Sequence, residues 1–466
     1  MTHIAIIGGG PAGLAAAEAA LSAGARVTLL DEGTRLGGQF WRHAPGITNP
    51  KMQHELGAFD RLTTAVSNAA ASNATPSKAT VSKATVHSGA NVWHIERDES
   101  TITVHAVTGE QDGTDRTGLT VTADRLIIAT GAHDLALPIP GSTLPGVTTA
   151  GAAQALAKRD GVTVGKRTVV AGAGPFLLPV AQSLTLAGAE VVGVYEASGI
   201  RSLATGWAPK PWQLAGKAGE FLEYVTGMLR SRTGYHPGTG VVRILGDDRV
   251  TGVVVAKLDA TWAPIAGTEQ AIECDSVALG HGFTPRLEAA IMIGCDIVGD
   301  RGGRFVRVDQ GQRTTVPGVY AAGELTGIGG ADAAQTEGAL AGFVAAGVPT
   351  TDARIRRLVA QRAKWDYFAR RLRVAHGIQP GWTHWLTDDT VVCRCEAVTT
   401  RTLTDHASAA PRAFKLATRA GLGPCQGRTC GIAVEHIVAA AGGDVDGAFH
   451  KRPVLSPVRL GELTNM

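Results

Sequence analysis

Four of the six cysteines lie in one short C-terminal segment, where their spacing is suited to binding a metal. One residue separates Cys393 from Cys395, 29 residues separate Cys395 from Cys425, and four separate Cys425 from Cys430. Two close thiol pairs can converge on one centre, and four thiolates suit either zinc or an iron–sulfur cluster. Zinc would give the segment a purely structural role, whereas a [2Fe–2S] cluster would give it a role in electron transfer. The spacing alone leaves both readings open.

The composition limits the environment and the partners of the chain. A length of 466 residues predicts two or three domains. With a net charge of +3 and 18% charged residues, the chain lacks the concentrated basic face that nucleic-acid binding requires. No apolar run reaches membrane-spanning length, and the first strand begins at His3, which leaves no room for a signal peptide. We therefore expect a cytoplasmic protein whose clustered cysteines bind metal and do not form disulfides.

A glycine loop near the N-terminus has the pattern of a dinucleotide site. Gly8-Gly-Gly10-Pro11-Ala12-Gly13 joins a buried strand to an alanine-rich helix. The first glycine permits the turn, the second admits a pyrophosphate and the third allows the helix to approach the strand. The helix N-terminus supplies free N–H groups to the phosphates. Asp31, followed by Glu32, ends the next strand, where a carboxylate can bind the adenosine ribose.

A second, less regular loop occurs in the middle of the chain. Gly172 and Gly174 repeat the pattern, but Leu177 stands where the third glycine would be. A side chain there would push the helix from the strand and narrow a phosphate site. Glu196 ends the following strand in the position of a ribose acceptor. Candidate ligands are NAD and a plain adenine nucleotide such as ATP or ADP, and the alternative is a domain retained as a scaffold.

The surrounding elements predict an α/β fold with two Rossmann-like units and a small helical C-terminal domain. We expect residues 1–140 and 300–350 to form the first, discontinuous nucleotide-binding domain and residues 141–299 the second. Residues 351–384 form a connecting helix, and residues 385–466 hold the cysteines and a tail. The Ser, Ala and Thr-rich stretch 63–90 is interpreted as a surface insertion.

Several segments, in order, resemble the two-dinucleotide-binding-domain flavoproteins, which are similar to disulfide reductases. The resemblance implies an FAD site, with Glu324 beside the ribityl chain and the helix N-terminus near Ala333 facing the isoalloxazine ring. No cysteine pair precedes Cys393, so disulfide chemistry at the flavin is not expected. Besides the first loop and Asp31, the likeness is carried by Gly37–Gln39 (with Gly38 and Gln39), Ala129–Gly131 (with Thr130 and Gly131) and Thr314–Glu324 (with Gly323).

The cysteine segment resembles the bacterioferritin-associated-ferredoxin type of [2Fe–2S] domain. The likeness is strongest to that domain as fused in the large subunits of heteromeric amino-acid dehydrogenases, such as hydrogen cyanide synthase, opine oxidases and hydroxyproline dehydrogenases. It implies that Cys393, Cys395, Cys425 and Cys430 bind the cluster. Nearby cations would offset the charge of the cluster: Arg394, Lys415, Arg419 and Arg428.

The resemblance implies an electron-transfer subunit of a multi-subunit dehydrogenase that oxidises an amino acid or related amine. A separate FAD-containing subunit would oxidise the substrate, and a small ferredoxin-like subunit is a further candidate partner. A membrane quinone is a candidate acceptor, which would place the protein peripherally at the inner face of the membrane. No catalytic residue is assigned, and His133 and His281 are only candidates. The alternatives are a self-contained NAD(P)H:acceptor oxidoreductase and a non-catalytic assembly subunit with a nucleotide and structural zinc.

Overall fold

The computed structural model describes residues 1–44, 52–71, 83–109, 113–135, 137–209, 219, 223, 226–227, 230–300, 303–450, 452 and 454–463. Helices in these ranges are α1 (Pro11–Ser22), α2 (Leu56–Ala71), α3 (Ala150–Asp160), α4 (Leu177–Leu186), α5 (Ile200–Trp207), α6 (Glu288–Met292), α7 (Ala331–Ala345), α8 (Ala353–His376), α9 (Thr400–Asp405), α10 (Pro411–Thr418), α11 (Gly431–Ala440) and α12 (Leu460–Leu463). A 3₁₀ helix covers Pro380–Trp385. Within the described ranges, no helix is long and apolar enough to cross a bilayer.

The strands of the first half are β1 (His3–Ile7), β2 (Arg26–Asp31), β3 (Ala84–Ser88), β4 (Ala90–Arg97), β5 (Ile102–Thr108), β6 (Thr117–Ala123), β7 (Arg125–Ile128), β8 (Ala132–Asp134), β9 (Val147–Thr149), β10 (Arg167–Gly172) and β11 (Glu190–Glu196). Those of the second half are β12 (Gly234–Pro237), β13 (Thr239–Leu245), β14 (Gly252–Lys257), β15 (Gln270–Glu273), β16 (Ser276–Gly280), β17 (Phe283–Pro285), β18 (Ile297–Asp300), β19 (Gly303–Val306), β20 (Val319–Ala321), β21 (Val391–Cys393) and β22 (Val398–Thr399).

The first unit is a five-stranded parallel sheet in the order β20-β7-β1-β2-β3. Strand β1 is fully buried, as expected for a central parallel strand covered on both faces. Helices α1 and α7 pack closely on one face: a Cβ atom at Gly338 would lie only 2.0 Å from the carbonyl oxygen of Ala12. The antiparallel sheet β4-β5-β6 adjoins this unit. The unit therefore contains both the N-terminal loop and the distant Glu324 turn.

The second unit repeats this plan with the parallel order β12-β11-β10-β16-β9. Strands β13, β14 and β15 form a separate antiparallel sheet beside it. The prediction of two Rossmann-like units is thus confirmed. In both units the central strand leads directly into a glycine turn, which places the two turns at the carboxyl ends of the sheets, where open α/β sheets bind ligands.

The interpretation of residues 63–90 as a surface insertion is wrong where the structure describes that stretch. Helix α2 continues to Ala71, and its Leu62 and Val66 are buried in the core of the first unit. Strand β3 pairs with β2 as the edge of the parallel sheet. The prediction failed because α2 is an amphipathic helix with few core side chains, so its Ser and Ala-rich sequence lacks a strong apolar pattern. The Ser77–Thr80 and Ser82–Thr85 echo lies largely outside the described residues.

The cysteine segment shares a hydrophobic core with the second unit. Leu403, Phe414 and Ile437 of the segment belong to the same buried cluster as Trp262 and Val277 of the second unit. Trp382 and Trp385 of the 3₁₀ helix join them, and the Trp385 indole N–H donates to the carbonyl oxygen of Trp262 at 2.8 Å. This shared core fixes the cysteines relative to the second unit.

Candidate functional site

The N-terminal turn is shaped to accept a ligand close to the backbone. Gly8 has φ +106°, and a Cβ there would lie 2.3 Å from the carbonyl oxygen of Ala129. At Gly13 a Cβ would lie 1.7 Å from the carbonyl oxygen of Gly8. Only glycine fits either position, so the strand, the turn and helix α1 can approach one another. Pro11 then starts α1 and directs its N-terminus toward the space above the sheet.

Two neighbouring acidic residues end strand β2 and have different environments. The Asp31 carboxylate accepts N–H groups from Gly9 at 2.5 Å and Gly33 at 2.8 Å, so it braces the turn. Burial raises the pKa of Asp31 although both amides oppose the rise. Glu32 is half exposed and forms a bidentate ion pair with Arg286. Burial raises the pKa of Glu32, but the Arg286 partner outweighs it and the net pKa is lowered. Glu32 is therefore the carboxylate whose oxygens are not taken by the turn and that faces the cavity.

A cavity of about 1870 Å³ extends from this turn across the molecule. It is large enough for a dinucleotide, since drug-sized sites take roughly 300–1,000 Å³. The predicted first-site residues that line it are Gly8, Gly10, Pro11, Ala12, Asp31, Glu32, Gly38, Gln39, Ala129, Thr130, Gly131, Gly323 and Glu324. Gly13 and Ala333 do not line it: Gly13 lies beneath the turn, and Ala333 is buried behind Ala331 and Ala334, which do.

The acidic turn at the start of α7 is held by two carboxyl groups. Glu324 accepts the Gly330 N–H at 2.9 Å, and burial raises its pKa to about 7. Glu337 lies behind it on α7 and accepts the Gly323 N–H at 2.8 Å and the Thr326 hydroxyl at 2.6 Å. Burial likewise raises the pKa of Glu337 to about 7. The α7 N-terminus thereby points into the cavity, where its partial positive charge can stabilise an anion.

In the second unit, the carboxylate that was predicted to bind a ribose, Glu196, is already hydrogen-bonded to other groups of the protein. Glu196 is fully buried and accepts N–H groups from Gly174 and Ser198, both at 2.9 Å. His376 of α8 stands 3.4 Å away, and the Tyr235 hydroxyl is a further partner. Burial raises the pKa of Glu196, but these partners more than compensate and the net pKa is lowered. Neither Gly172, Gly174 nor Glu196 lines the cavity.

Helices α5 and α8 cross the face of the second unit above this carboxylate. The Trp207 indole N–H donates to His376 Nε2 at 3.1 Å, and the Trp207 ring packs against Phe368. These side chains line the part of the cavity nearest the second loop, together with Phe176 of that loop. Ala197 follows Glu196 where Glu32 follows Asp31, so the second unit has no carboxylate at the position that corresponds to Glu32.

The four cysteines of the C-terminal segment converge although they come from different elements. Cys393 ends β21 and Cys430 precedes α11, and both are buried; Cys425 is partly buried and Cys395 is exposed. The Cys430 thiol hydrogen-bonds to Cys393 and to Cys425, and Cys425 also contacts Cys395. The thiols thus form a connected run. Among the described residues, no group of three or more His, Cys, Asp or Glu side chains is arranged around one common ion position.

The hydrogen bonds within this run divide the thiols, because they raise the pKa of Cys430 while they lower those of Cys393 and Cys425. The hydrogen bond from Cys430 lowers the pKa of Cys393 to about 6 and that of Cys425 to about 4, against the effect of burial. Backbone N–H groups of Gly421 and Glu396 also reach Cys393, and those of Gly427 and Thr429 reach Cys425. Such amides stabilise sulfur-bound metal clusters. Four neighbouring thiols are the donor type of a thiolate-bound centre, although in the positions described they do not surround one ion position.

The cysteine loop forms part of the cavity wall, so one of the four thiols, that of Cys425, lies at the same cavity as the flavin-type site. Cys425, Arg428 and Thr429 line the cavity. His133 Nε2 lies 2.9 Å from the Arg428 carbonyl oxygen, which joins the Gly131 turn to the cysteine loop. His281, the other candidate histidine, is fully buried, and burial lowers its pKa to about 4; it contacts the Leu137 N–H and the Trp385 ring and has a structural role.

Sequence reasoning missed the residues that tertiary contacts bring to the site. Arg286 follows the short strand β17 and reaches Glu32 across 254 positions. Glu288, Glu337 and His376 are single ionisable residues in ordinary helices, and no local motif distinguishes them. The one usable signal was the Gly282-Phe-Thr-Pro-Arg286 segment, a glycine turn that follows a buried strand.

The chain shows clear similarity to known proteins over its whole length. Residues 2–338 match the pyridine nucleotide-disulphide oxidoreductase family. An opine oxidase subunit of Rhizobium meliloti is 31% identical over 99% of this chain and 87% of its own length. Hydrogen cyanide synthase subunit HcnB of Pseudomonas protegens is 29% identical over 97% of this chain and 95% of its own. The fold resembles L-proline dehydrogenase from P. horikoshii, with a TM-score of 0.65 at 19% identity, covering 99% of this chain and 79% of the other.

Proposed function

Because the chain belongs to the pyridine nucleotide-disulphide oxidoreductase family and is a FAD-dependent oxidoreductase subunit, we propose that it is the electron-transfer subunit of a heteromeric amine or amino-acid dehydrogenase. In this proposal FAD occupies the first unit and a [2Fe–2S] cluster is bound by the four C-terminal cysteines. A partner FAD subunit oxidises the C–N bond of the substrate. The two electrons released there pass through this chain to an outside acceptor, for which a membrane quinone is the candidate.

One observation carries the proposal: the loop of Cys425 lines the same cavity as the FAD-type turn. An electron relay requires its two centres to be close, whereas a purely structural zinc site has no need to face the flavin. The relatives named as subunits of oxidases and synthases support a heteromeric setting. A small ferredoxin-like subunit is a further proposed partner.

The residues of the chain would each have a defined task. The turn from Gly8 to Gly13 would accept the pyrophosphate, and Glu32 would bind the ribose hydroxyls. The α7 N-terminus, held by Glu324, would face the isoalloxazine ring and stabilise the negative charge that reduction creates there. Cys393, Cys395, Cys425 and Cys430 would hold the cluster, which when bound supplies one-electron transfer.

The second unit does not support direct reduction by NAD(P)H. Its glycine loop carries Leu177, its carboxylate Glu196 is satisfied internally, and the aromatic side chains of α5 and α8 lie above the loop. We therefore do not extend the proposal to an NAD(P)H:acceptor activity. The alternative of a non-catalytic assembly subunit with structural zinc can be distinguished from this proposal by measuring which metal the chain contains.

The test is the metal content and visible spectrum of the chain purified without oxygen. We expect flavin bands together with broad iron–sulfur absorption, and iron and acid-labile sulfide in equal amounts. Cys425→Ser should lose the iron and keep the flavin, because the cluster would lack one of its four ligands. Cys274→Ala, which alters a single buried cysteine of the second unit, is the matched control and should retain both. Stoichiometric zinc without iron would refute the electron-relay proposal.

A further inference from the structure

A buried ion cluster joins the cysteine loop to the rest of the molecule at the cavity wall. Glu288 begins α6, and its Oε1 atom lies 3.1 Å from Nε of Arg428 and 3.1 Å from Nη1 of Arg452. The exposed fractions of the three side chains are only 14%, 18% and 10%. Glu288 is thus the single carboxylate on which two arginines of the cysteine-bearing segment converge.

The two arginines also hold the backbone of the cysteine loop. Arg428 Nη1 donates to the Cys425 carbonyl oxygen at 3.3 Å. Arg452 donates from Nε and Nη2 to the Gln426 carbonyl oxygen at 3.1 and 2.9 Å. Together with His133 on the Arg428 carbonyl oxygen, these bonds occupy three carbonyl groups of one short loop. The position of the loop therefore depends on where the two guanidinium groups are held.

We propose that Glu288 is a positioning residue that clamps the Cys425–Thr429 loop against the flavin cavity and balances the charge of the two arginines beside Cys425. This inference rests on the proposed function for the presence of flavin and cluster, whereas the clamp itself is a property of the protein chain. Arg304 and Glu435, 3.1 Å apart, form a separate ion pair, so we expect the cysteine segment to stay attached when Glu288 is replaced.

The negative charge of Glu288 should also affect how easily a nearby cluster is reduced. A buried carboxylate shared by two guanidinium groups removes part of their positive field, because one negative charge faces two positive ones. Without Glu288, both cations would act fully on the thiolate of Cys425 and on any anionic group bound there. Glu288 consequently opposes reduction of an adjacent cluster, since reduction adds negative charge. Its loss should make the cluster easier to reduce.

The first arm of the test uses the reduced, metal-free chain and the reagent iodoacetamide. We expect Glu288→Ala to increase the rate of alkylation at Cys425 by about tenfold, because breaking a buried ion pair frees the loop to open locally. Peptide mass spectrometry assigns the modified cysteine. Asp388→Asn is the matched control, since it breaks an exposed ion pair with Arg401 in the same segment and should leave the rate unchanged.

The second arm uses the loaded protein and measures the midpoint potential of the cluster by an anaerobic titration followed in the visible spectrum. Glu288→Gln keeps the size of the side chain and removes its charge. We expect its reduction equilibrium to shift about tenfold toward the reduced form, a rise of ~59 mV for a one-electron couple. Asp388→Asn should shift the potential by much less, because its charge is exposed and screened.

The two failures can be told apart. If the chain binds no iron, the proposed function is refuted while the alkylation arm still tests the clamp. If iron is bound but neither the alkylation rate nor the potential of the Glu288 variants differs from those of wild type and Asp388→Asn, the clamp is refuted. A rise in alkylation without a rise in potential would overturn the charge-balancing part of the proposal.

Discussion

Single carboxyl groups at the ends of strands have different tasks in this molecule, and their partners decide which. Asp31 braces its own glycine turn through two backbone amides, and Glu32 faces the cavity with Arg286 beside it. Glu196 resembles Asp31 in bracing a turn, but no acidic residue follows it. A strand-end acid is therefore available to a ligand only when its oxygens are not already taken by the backbone.

Glu337 provides a test at the scale of one residue. Burial raises its pKa from 4.5 to about 7, so the folded protein holds a proton that the unfolded chain releases. Its contribution to stability is greatest below about pH 4.5 and is lost as the pH rises to about 7, a change of about 3 kcal/mol. Glu337→Gln keeps the hydrogen-bond acceptor without the charge. Relative to wild type, the variant should gain stability between pH 5 and pH 8.

Denaturant unfolding of the flavin-saturated protein at several pH values would measure this change. Glu273→Gln, at an exposed position of β15, is the control and should run parallel to wild type. If the Glu337→Gln curve also runs parallel to wild type, Glu337 is not protonated within this pH range and the burial argument does not hold.

Among the elements, helix α8 does more than connect two domains, which is the role that the sequence predicted for it. Its last turn carries His376 onto Glu196, and its Phe368 packs on Trp207 of α5. Its middle reaches the first unit, where Arg362 Nε lies 3.6 Å from Glu337 Oε1. One helix thus contacts the buried acids of both nucleotide-type units. Side chains of this helix therefore form the cavity wall beside the loop of the second unit.

The irregular second loop predicts a kinetic result. NADH added without oxygen should leave the bound flavin oxidised over the time in which dithionite bleaches it fully, because Leu177 replaces the third glycine of the loop and Glu196 is hydrogen-bonded within the protein. Stopped-flow absorbance of the flavin band is the measurement, and dithionite is the control for reducible flavin. Prompt bleaching of the flavin by NADH would instead support the alternative that the chain is a self-contained NAD(P)H:acceptor oxidoreductase.

At the scale of the whole molecule, the cysteine segment packs against the rest of the protein and is not a separate domain on a linker. It shares a core with the second unit, and two ion clusters join it to the neighbourhood of the first: Arg304 with Glu435, and Glu288 with Arg428 and Arg452. The thiol cluster consequently has a fixed position relative to the cavity. Electron transfer between two centres benefits from such a fixed separation, since no docking step is needed.

Trp382 allows the shared core to be tested. It is fully buried between the second unit and the cysteine segment, and its indole N–H donates to His436 Nδ1 at 3.2 Å. Trp382→Ala should lower the free energy of unfolding by about 3–5 kcal/mol. Val374→Ala, at a half-exposed position, should change it by less than about 0.5 kcal/mol. Thermal unfolding followed by circular dichroism and by thiol exposure should show coincident transitions; separate transitions would mean that the segment unfolds independently.

The sequence by itself determined the elements whose signals are local. The glycine turn at Gly8, the two βαβ units and the spacing of the four cysteines depend on neighbouring residues, and periodicity and turn chemistry reveal such features. It also indicated that the second loop was irregular, because Leu177 replaces a glycine. Composition misled in residues 63–90, where α2 has few core side chains and β3 completes the parallel sheet.

Only the tertiary structure decided which of these features share a space. Arg286 reaches Glu32, His376 reaches Glu196, and the Cys425 loop joins the wall of the flavin-type cavity, although each pair is far apart in sequence. Such contacts arise from the packing of whole elements, and a single sequence carries no local signal for them. The sequence thus determined a dinucleotide turn and a thiol cluster, and the fold decided that they face one cavity.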